Sequence, residues 1–196
     1  MHDVHERYVA ALEEADRHVG RIGPSQWTNP TPCDEWDVRA LLDHLVYETL
    51  WVPDLVGGAT LEQVGDRYEG DRLGDDPAAA WTAAKEAAID GVRAGEPDVP
   101  VHTSAGEVTA GSYLTEMLFD ATIHGWDLAQ GIGVAHSIPD DVAAALVTWF
   151  TPQVERWLAA GAIAQPATVP DDADAATRLI ALSGRNPYPG AGQSAP

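Results

Sequence analysis

The chain is poor in cysteine, in lysine and in unbroken apolar stretches, and each shortage removes a class of protein. Its single cysteine, Cys33, excludes a disulfide within the chain and fits a reducing compartment. Cys33 stands just upstream of an expected helix start, where a thiol can be made reactive or can simply pack; Arg39 is the only basic residue near it. No apolar run approaches the roughly 20 residues that a membrane-spanning helix needs. The opening Met1-His-Asp-Val-His-Glu-Arg lacks the charged and apolar regions of a signal peptide, so the expected location is cytoplasmic. Basic residues are scarce, with Lys85 the only lysine: 11 basic side chains face 31 acidic ones, a formal charge of −20. Such a surface repels phosphate backbones and anionic lipid, which argues against nucleic acid and membrane as partners.

What is present is apolar residues at helical spacing. With 196 residues and 45% hydrophobic content, the chain is large enough for one compact domain that encloses a buried site. Val4, Tyr8, Ala11, Leu12, Ala15, Val19 and Ile22 recur at helical spacing and stop before Gly23-Pro24. A second helix is expected over about 38–51, with Asp37 as N-cap and Trp36 packing on Leu41 as a hydrophobic staple. A Gly- and Asp-rich crossover follows, and a third helix runs from Pro77 to near Gly95. The β-branched stretch from Val99 to Ala110 reads as a short hairpin around Ala105-Gly106. A fourth helix spans about 112–130 and ends at Gly131-Ile-Gly133. A fifth starts at Pro139 and is kinked or restarted at Pro152, and a short helix covers about 174–182. The expected fold class is therefore all-α: a four-helix bundle with a long crossover, a short hairpin and additional C-terminal helices. Residues 1–188 are expected as a single domain and 189–196 as a disordered tail.

Two polar intrusions break the apolar stripes. The fourth helix carries Asp120 and His124, four apart on the edge that also holds Tyr113, Met117, Ala121 and Leu128, so both point inward. A buried imidazole beside a buried carboxylate costs several kcal/mol unless paired, roughly 2–7 for a neutral polar group alone. Either they hydrogen-bond to one another or they share a divalent ion. The second helix offers His44 and, one turn later, Glu48 beside Leu41. Two histidines and a carboxylate from two helices make the ligand set of a zinc site with open positions, or of a related nickel or iron site.

The stretches Thr31-Pro-Cys-Asp-Glu-Trp-Asp-Val-Arg-Ala-Leu-Leu-Asp-His44, His102-Thr-Ser-Ala-Gly106, Asp120-Ala-Thr-Ile-His-Gly-Trp-Asp-Leu-Ala129 and Leu182-Ser-Gly-Arg-Asn-Pro187 carry a resemblance. Together, in this order, they resemble the actinobacterial metal-binding proteins of the DinB-like superfamily. The relatives with an assigned reaction are the mycothiol-dependent maleylpyruvate isomerases. The resemblance implies a four-helix bundle holding one divalent metal through His44, Asp120 and His124; the imidazole ligands suit zinc by default and nickel as the alternative. It also implies mycothiol as a possible cofactor, with a small-molecule thiol and an electrophilic substrate as partners. The i, i+4 pair of that superfamily is usually Glu/His or His/His, and Asp120 departs from it by being one methylene shorter.

Other polar residues carry competing readings. Glu48 is a fourth ligand, a general base or a solvated helix charge. His102 enters through the hairpin and Arg185 through the tail, each as a candidate substrate-binding group, Arg185 for a carboxylate. Asp127 either accepts the second ring proton of a histidine or forms a surface ion pair. His2, His5, His18 and His136 read as surface residues, and the tryptophans, Trp126 included, read as core. Three function classes follow: a metal-dependent thiol transferase or isomerase, a metal-dependent hydrolase, and a non-catalytic metal-binding or stress-related protein. Fold does not choose among them.

Overall fold

Asp37 accepts a hydrogen bond from the Ala40 N–H and starts a helix over Val38–Val56, as the sequence implies. The structure is a computed structural model describing residues 2–34, 36–95, 99–104 and 106–188. Its contacts separate two compact units, Met1–Val134 and Ala135–Pro196, where the sequence reading takes 1–188 together. In the first unit, α1 (His2–Val19) buries Tyr8, Leu12, Ala15 and Val19 on one stripe. The Asp37-capped α2 (Val38–Val56) buries Val38, Leu41, Leu42, Leu45 and Val46. It runs past the expected end near Trp51 because Val52, Leu55 and Val56 are buried, although Pro53 inside the helix has no N–H to donate one turn back.

The crossover contains a one-turn helix the sequence reading did not anticipate, α3 (Leu61–Val64), closed by a Thr60/Gln63 capping box. Then α4 (Pro77–Ala94) starts on Asp76, which accepts from the Ala79 N–H. It buries Trp81 completely, and the indole N–H donates to Asp16 on α1 at 3.0 Å. The hairpin pairs β1 (Pro100–Thr103) with β2 (Gly106–Thr109), antiparallel; its expected turn residue Ala105 lies outside the described residues. Next comes α5 (Ala110–Ile132), capped by Thr109 and terminated by Gly133 at φ 71°, a left-handed position that favours glycine. Each of α1 and α2 packs against both α4 and α5, which closes a four-helix bundle. The fold is all-α and DinB-like, with the long crossover and the hairpin at their expected places.

Close approach between helices occurs at two glycines. A Cβ on Gly91 of α4 would lie 2.8 Å from the Pro53 Cα and 2.9 Å from its Cβ. In a free helix Gly91→Ala would gain about 1 kcal/mol, but here overpacking of about 1–3 kcal/mol opposes it. The expected result is a lower denaturation midpoint for Gly91→Ala, and a raised midpoint would show that α2 and α4 separate at little cost. Gly131 on α5 meets Val38 and Thr31 in the same way, at 2.9 and 3.1 Å. The segment before α2 is tied down there: Gln26 and Asn29 donate to the Ile132 and Gly131 carbonyls, and the Thr31 hydroxyl donates to the Trp36 carbonyl. That clamp fixes where Trp36 stands.

In the second unit, α6 (Asp140–Phe150) leads through a 3₁₀ turn, Thr151–Gln153, into α7 (Val154–Ala159), so the fifth helix restarts at Pro152. Asp174 caps α8 (Ala175–Leu182), which packs on α6 through Leu179, Ile180 and Ala181. The tail expected to be disordered, 189–196, lies outside the described residues. Among the described residues no helix is long and apolar enough to cross a membrane.

Candidate metal centre

The side chains of His44 from α2 and of Asp120 and His124 from α5 converge. Asp120 Oδ1 lies 3.1 Å from His44 Nε2 and 3.5 Å from His124 Nε2. One ligand atom from each residue falls within 4.8 Å of the other two. A tetrahedral ion with bonds of about 2.1 Å holds its ligand atoms about 3.4 Å apart, so the observed separations suit one ion. The donor set, two imidazoles and one carboxylate, is that of an open divalent site. His124 supplies a sharper test of fit. Its Nδ1 is 3.0 Å from Asp127 Oδ2, and Asp127 is completely buried. A carboxylate only accepts, so Nδ1 carries the ring proton and Nε2 presents a lone pair toward Asp120 and His44.

Burial and charge act against each other around this cluster. Burial lowers the His44 imidazole, but the Asp120 charge and hydrogen bond, with Glu48 and Asp43 behind them, outweigh it and the net shift is upward. Glu48, half-buried one turn further along α2, is pushed up to about 7, first by burial and then by the Asp120 charge, with His44 opposing and Glu116 adding. Toward the α1 side, burial drives the Tyr8 phenol upward while its hydrogen bond with Thr49 opposes. Burial also holds Tyr113 well above an ordinary phenol, reinforced by Tyr8, Glu48, Glu116 and Asp120. The Tyr113 hydroxyl is buried without a hydrogen-bond partner among the described residues. Removing it should leave no protein group unpaired, so Tyr113→Phe is expected to stabilise the metal-free protein by roughly 1 kcal/mol. A drop in melting temperature would count against that account.

The remaining candidates divide. His102 sits on β1 with Nδ1 3.8 Å from Glu107 across the hairpin, and it is not in the triad. Arg185 lies in the second unit, where its guanidinium donates to the Ser183 carbonyl. Cys33 is half-buried in the clamped segment, and its N–H donates to the Thr31 hydroxyl. His18, read as a surface residue, is buried instead: it shares the inner side of the last turn of α1 with Val19, and its Nε2 is 3.4 Å from Glu14. Trp36 also corrects the sequence reading. Its ring lies 4.5 Å from that of His44 and 5.5 Å from that of His124, covering one side of the histidine pair. Trp81 and Trp126 are core, as read.

Beside His44 opens a cleft of about 370 Å³, walled by Trp36, Ala40, Asp43, Tyr47, Glu69 and Arg72. Arg72 comes from the crossover, pairs with Asp43 through Nε and Nη2, donates to the Tyr68 carbonyl and lies 4.7 Å over the Tyr47 ring. The crossover is thereby fastened along α2 next to the triad. Nothing in local sequence spacing pairs residue 43 with residue 72, and only the folded crossover brings them together.

A four-helix bundle with a three-residue cluster that could hold a metal ion, shared between its second and fourth long helices, defines the class: a DinB-like bundle with a candidate metal site. The chain belongs to the family described as mycothiol maleylpyruvate isomerase N-terminal domain, which it matches over residues 8–129. That span runs from Tyr8 in α1 to Ala129 in α5 and contains the triad, Glu48, His102 and Asp127, while Arg185 falls beyond it. No curated protein and no solved structure matches the chain.

Proposed function

We propose that the protein is a metal-dependent thiol transferase or isomerase that joins a low-molecular-weight thiol, mycothiol, to a small electrophilic substrate in the cytoplasm. The observation that carries this reading is that His44, one member of the clustered triad, lines an open cleft. A structural site is closed by four protein ligands, whereas three ligands, one of them at a cleft, leave room for a reactant. Bound by His44, Asp120 and His124, a divalent ion, zinc first and nickel as the alternative, would supply Lewis acidity and a partner for the thiolate.

The chain's own groups take the other roles. Glu48, held at about 7, is poised to accept the S–H proton on a carboxylate oxygen near neutral pH. Trp36 shields the histidine rings from water on one side. Asp127 holds the His124 ring in place. His102 is retained as a candidate contact to the substrate.

The test is thiol consumption with mycothiol and a panel of electrophiles, with and without added zinc. Metal-dependent consumption abolished by His44→Ala is expected. Turnover of substrate without thiol would favour the hydrolase reading, and strong metal stabilisation with no turnover would favour a non-catalytic metal-binding or stress-related protein.

A further inference from the structure

Resting on the metal-site reading above, we propose that Asp127 is the positioning residue of the centre: it fixes the tautomer of His124 and so sets how tightly the site binds zinc. Asp120, His124 and Asp127 stand at i, i+4 and i+7 of α5, which places all three on one stripe of a single helix. Two candidate ligands and the group that orients one of them are therefore set by the geometry of one rigid element. Only His44 comes from a second helix.

The argument is one of hydrogen-bond inventory. Neutral imidazole carries one proton on either nitrogen, and the nitrogen without it is the ligand. Asp127 Oδ2 lies 3.0 Å from Nδ1, and the side chain is completely buried. A carboxylate in that place accepts and cannot donate, so it admits the Nδ1–H tautomer alone. A buried carboxylate is expensive where a neutral side chain would pack. An amide of nearly the same shape would offer the ring either a carbonyl or an NH₂ group. With the NH₂ turned inward the proton would move to Nε2, and the lone pair would be lost from the face shared with Asp120 and His44. The carboxylate excludes that alternative, and the negative charge behind the ring strengthens it as a ligand.

The experiment measures zinc affinity by competition with a chromophoric chelator for the wild-type protein and for Asp127→Asn. Alongside it, nitrogen-15 spectra of the histidine rings are recorded on metal-free protein. Zinc binding is expected to weaken by about 10- to 100-fold in Asp127→Asn. The metal-free wild-type spectrum should show His124 protonated on Nδ1 and bare on Nε2, with the Nε2-protonated form gaining population in the variant. A wild-type ring protonated on Nε2 overturns the proposal even if the variant fails to fold. Zinc affinity unchanged in Asp127→Asn overturns it as well, including the case where only the melting temperature falls, as for a merely structural carboxylate. Absence of zinc binding by the wild-type protein overturns the metal-site reading itself, a separate result because the tautomer is read without metal.

Discussion

Purified without a histidine tag, the wild-type protein should carry about one equivalent of zinc, and both His44→Ala and His124→Ala should lose it. Zinc at 100 times its dissociation constant stabilises the folded state by about 2.7 kcal/mol. For a chain of this size that is roughly 5–10 °C in melting temperature. The two variants differ without metal. His124→Ala removes the partner 3.0 Å from a completely buried carboxylate, so it also destabilises the metal-free protein. His44 is a fifth exposed, at 21%, and its partner Asp120 is equally open, so water can replace what His44→Ala removes. His44→Ala is therefore the cleaner variant for separating metal stabilisation from packing. At a pH above the raised folded-state value of His44 it should melt near the metal-free wild type and fail to respond to zinc. Full metal content in both variants would remove the triad as the site.

The part of this centre that was legible in the sequence is the part carried by periodic helices. Asp37 fixed the phase of α2 and with it the position of His44, while the apolar stripe of α5 fixed Asp120 and His124. Convergence of the two helices does not follow from either stripe, and needed the family resemblance at the sequence level. Trp36 was misplaced because it belongs to a segment without periodicity. Its position is set by the Thr31 hydroxyl and by the Gln26 and Asn29 bonds to the end of α5, about a hundred residues away in sequence. The Arg72–Asp43 pair was hidden for the same reason, since the crossover has no repeat to phase it. His18 was missed by a different mechanism. Its neighbours Arg17 and Arg21 suggest a polar face, but Val19 beside it is buried and the inner face widens at the last turn of α1 to include both.

Glu48→Gln should make the metal-free protein more stable at pH 8 and change it little at pH 5. The folded-state carboxyl is raised from 4.5 to about 7, mainly by burial and then by Asp120, so folding favours its protonated form. That contribution is fully present below the unfolded value of 4.5 and is lost as pH rises through about 7. At pH 8 the wild type folds with an unwelcome buried charge, and the glutamine variant does not. The full shift would correspond to about 3 kcal/mol, which water at this half-buried carboxyl reduces to about 1–2 kcal/mol. His44 acts in the same direction: its folded value is raised, so the stability it lends is present below 6.5 and is lost as pH climbs through that higher value. Because Glu48 is one of the charges raising His44, the variant removes its own contribution and a share of that of His44. Added zinc should flatten the wild-type profile, since a cation beside Asp120 favours the ionised Glu48 and disfavours the protonated imidazole. Melting curves of both proteins across pH 5–8, with chelator and with zinc, measure all of this. A wild-type-to-variant difference that stays constant across that range would show that Glu48 is an ordinary solvated helix charge and would remove it as the proton acceptor.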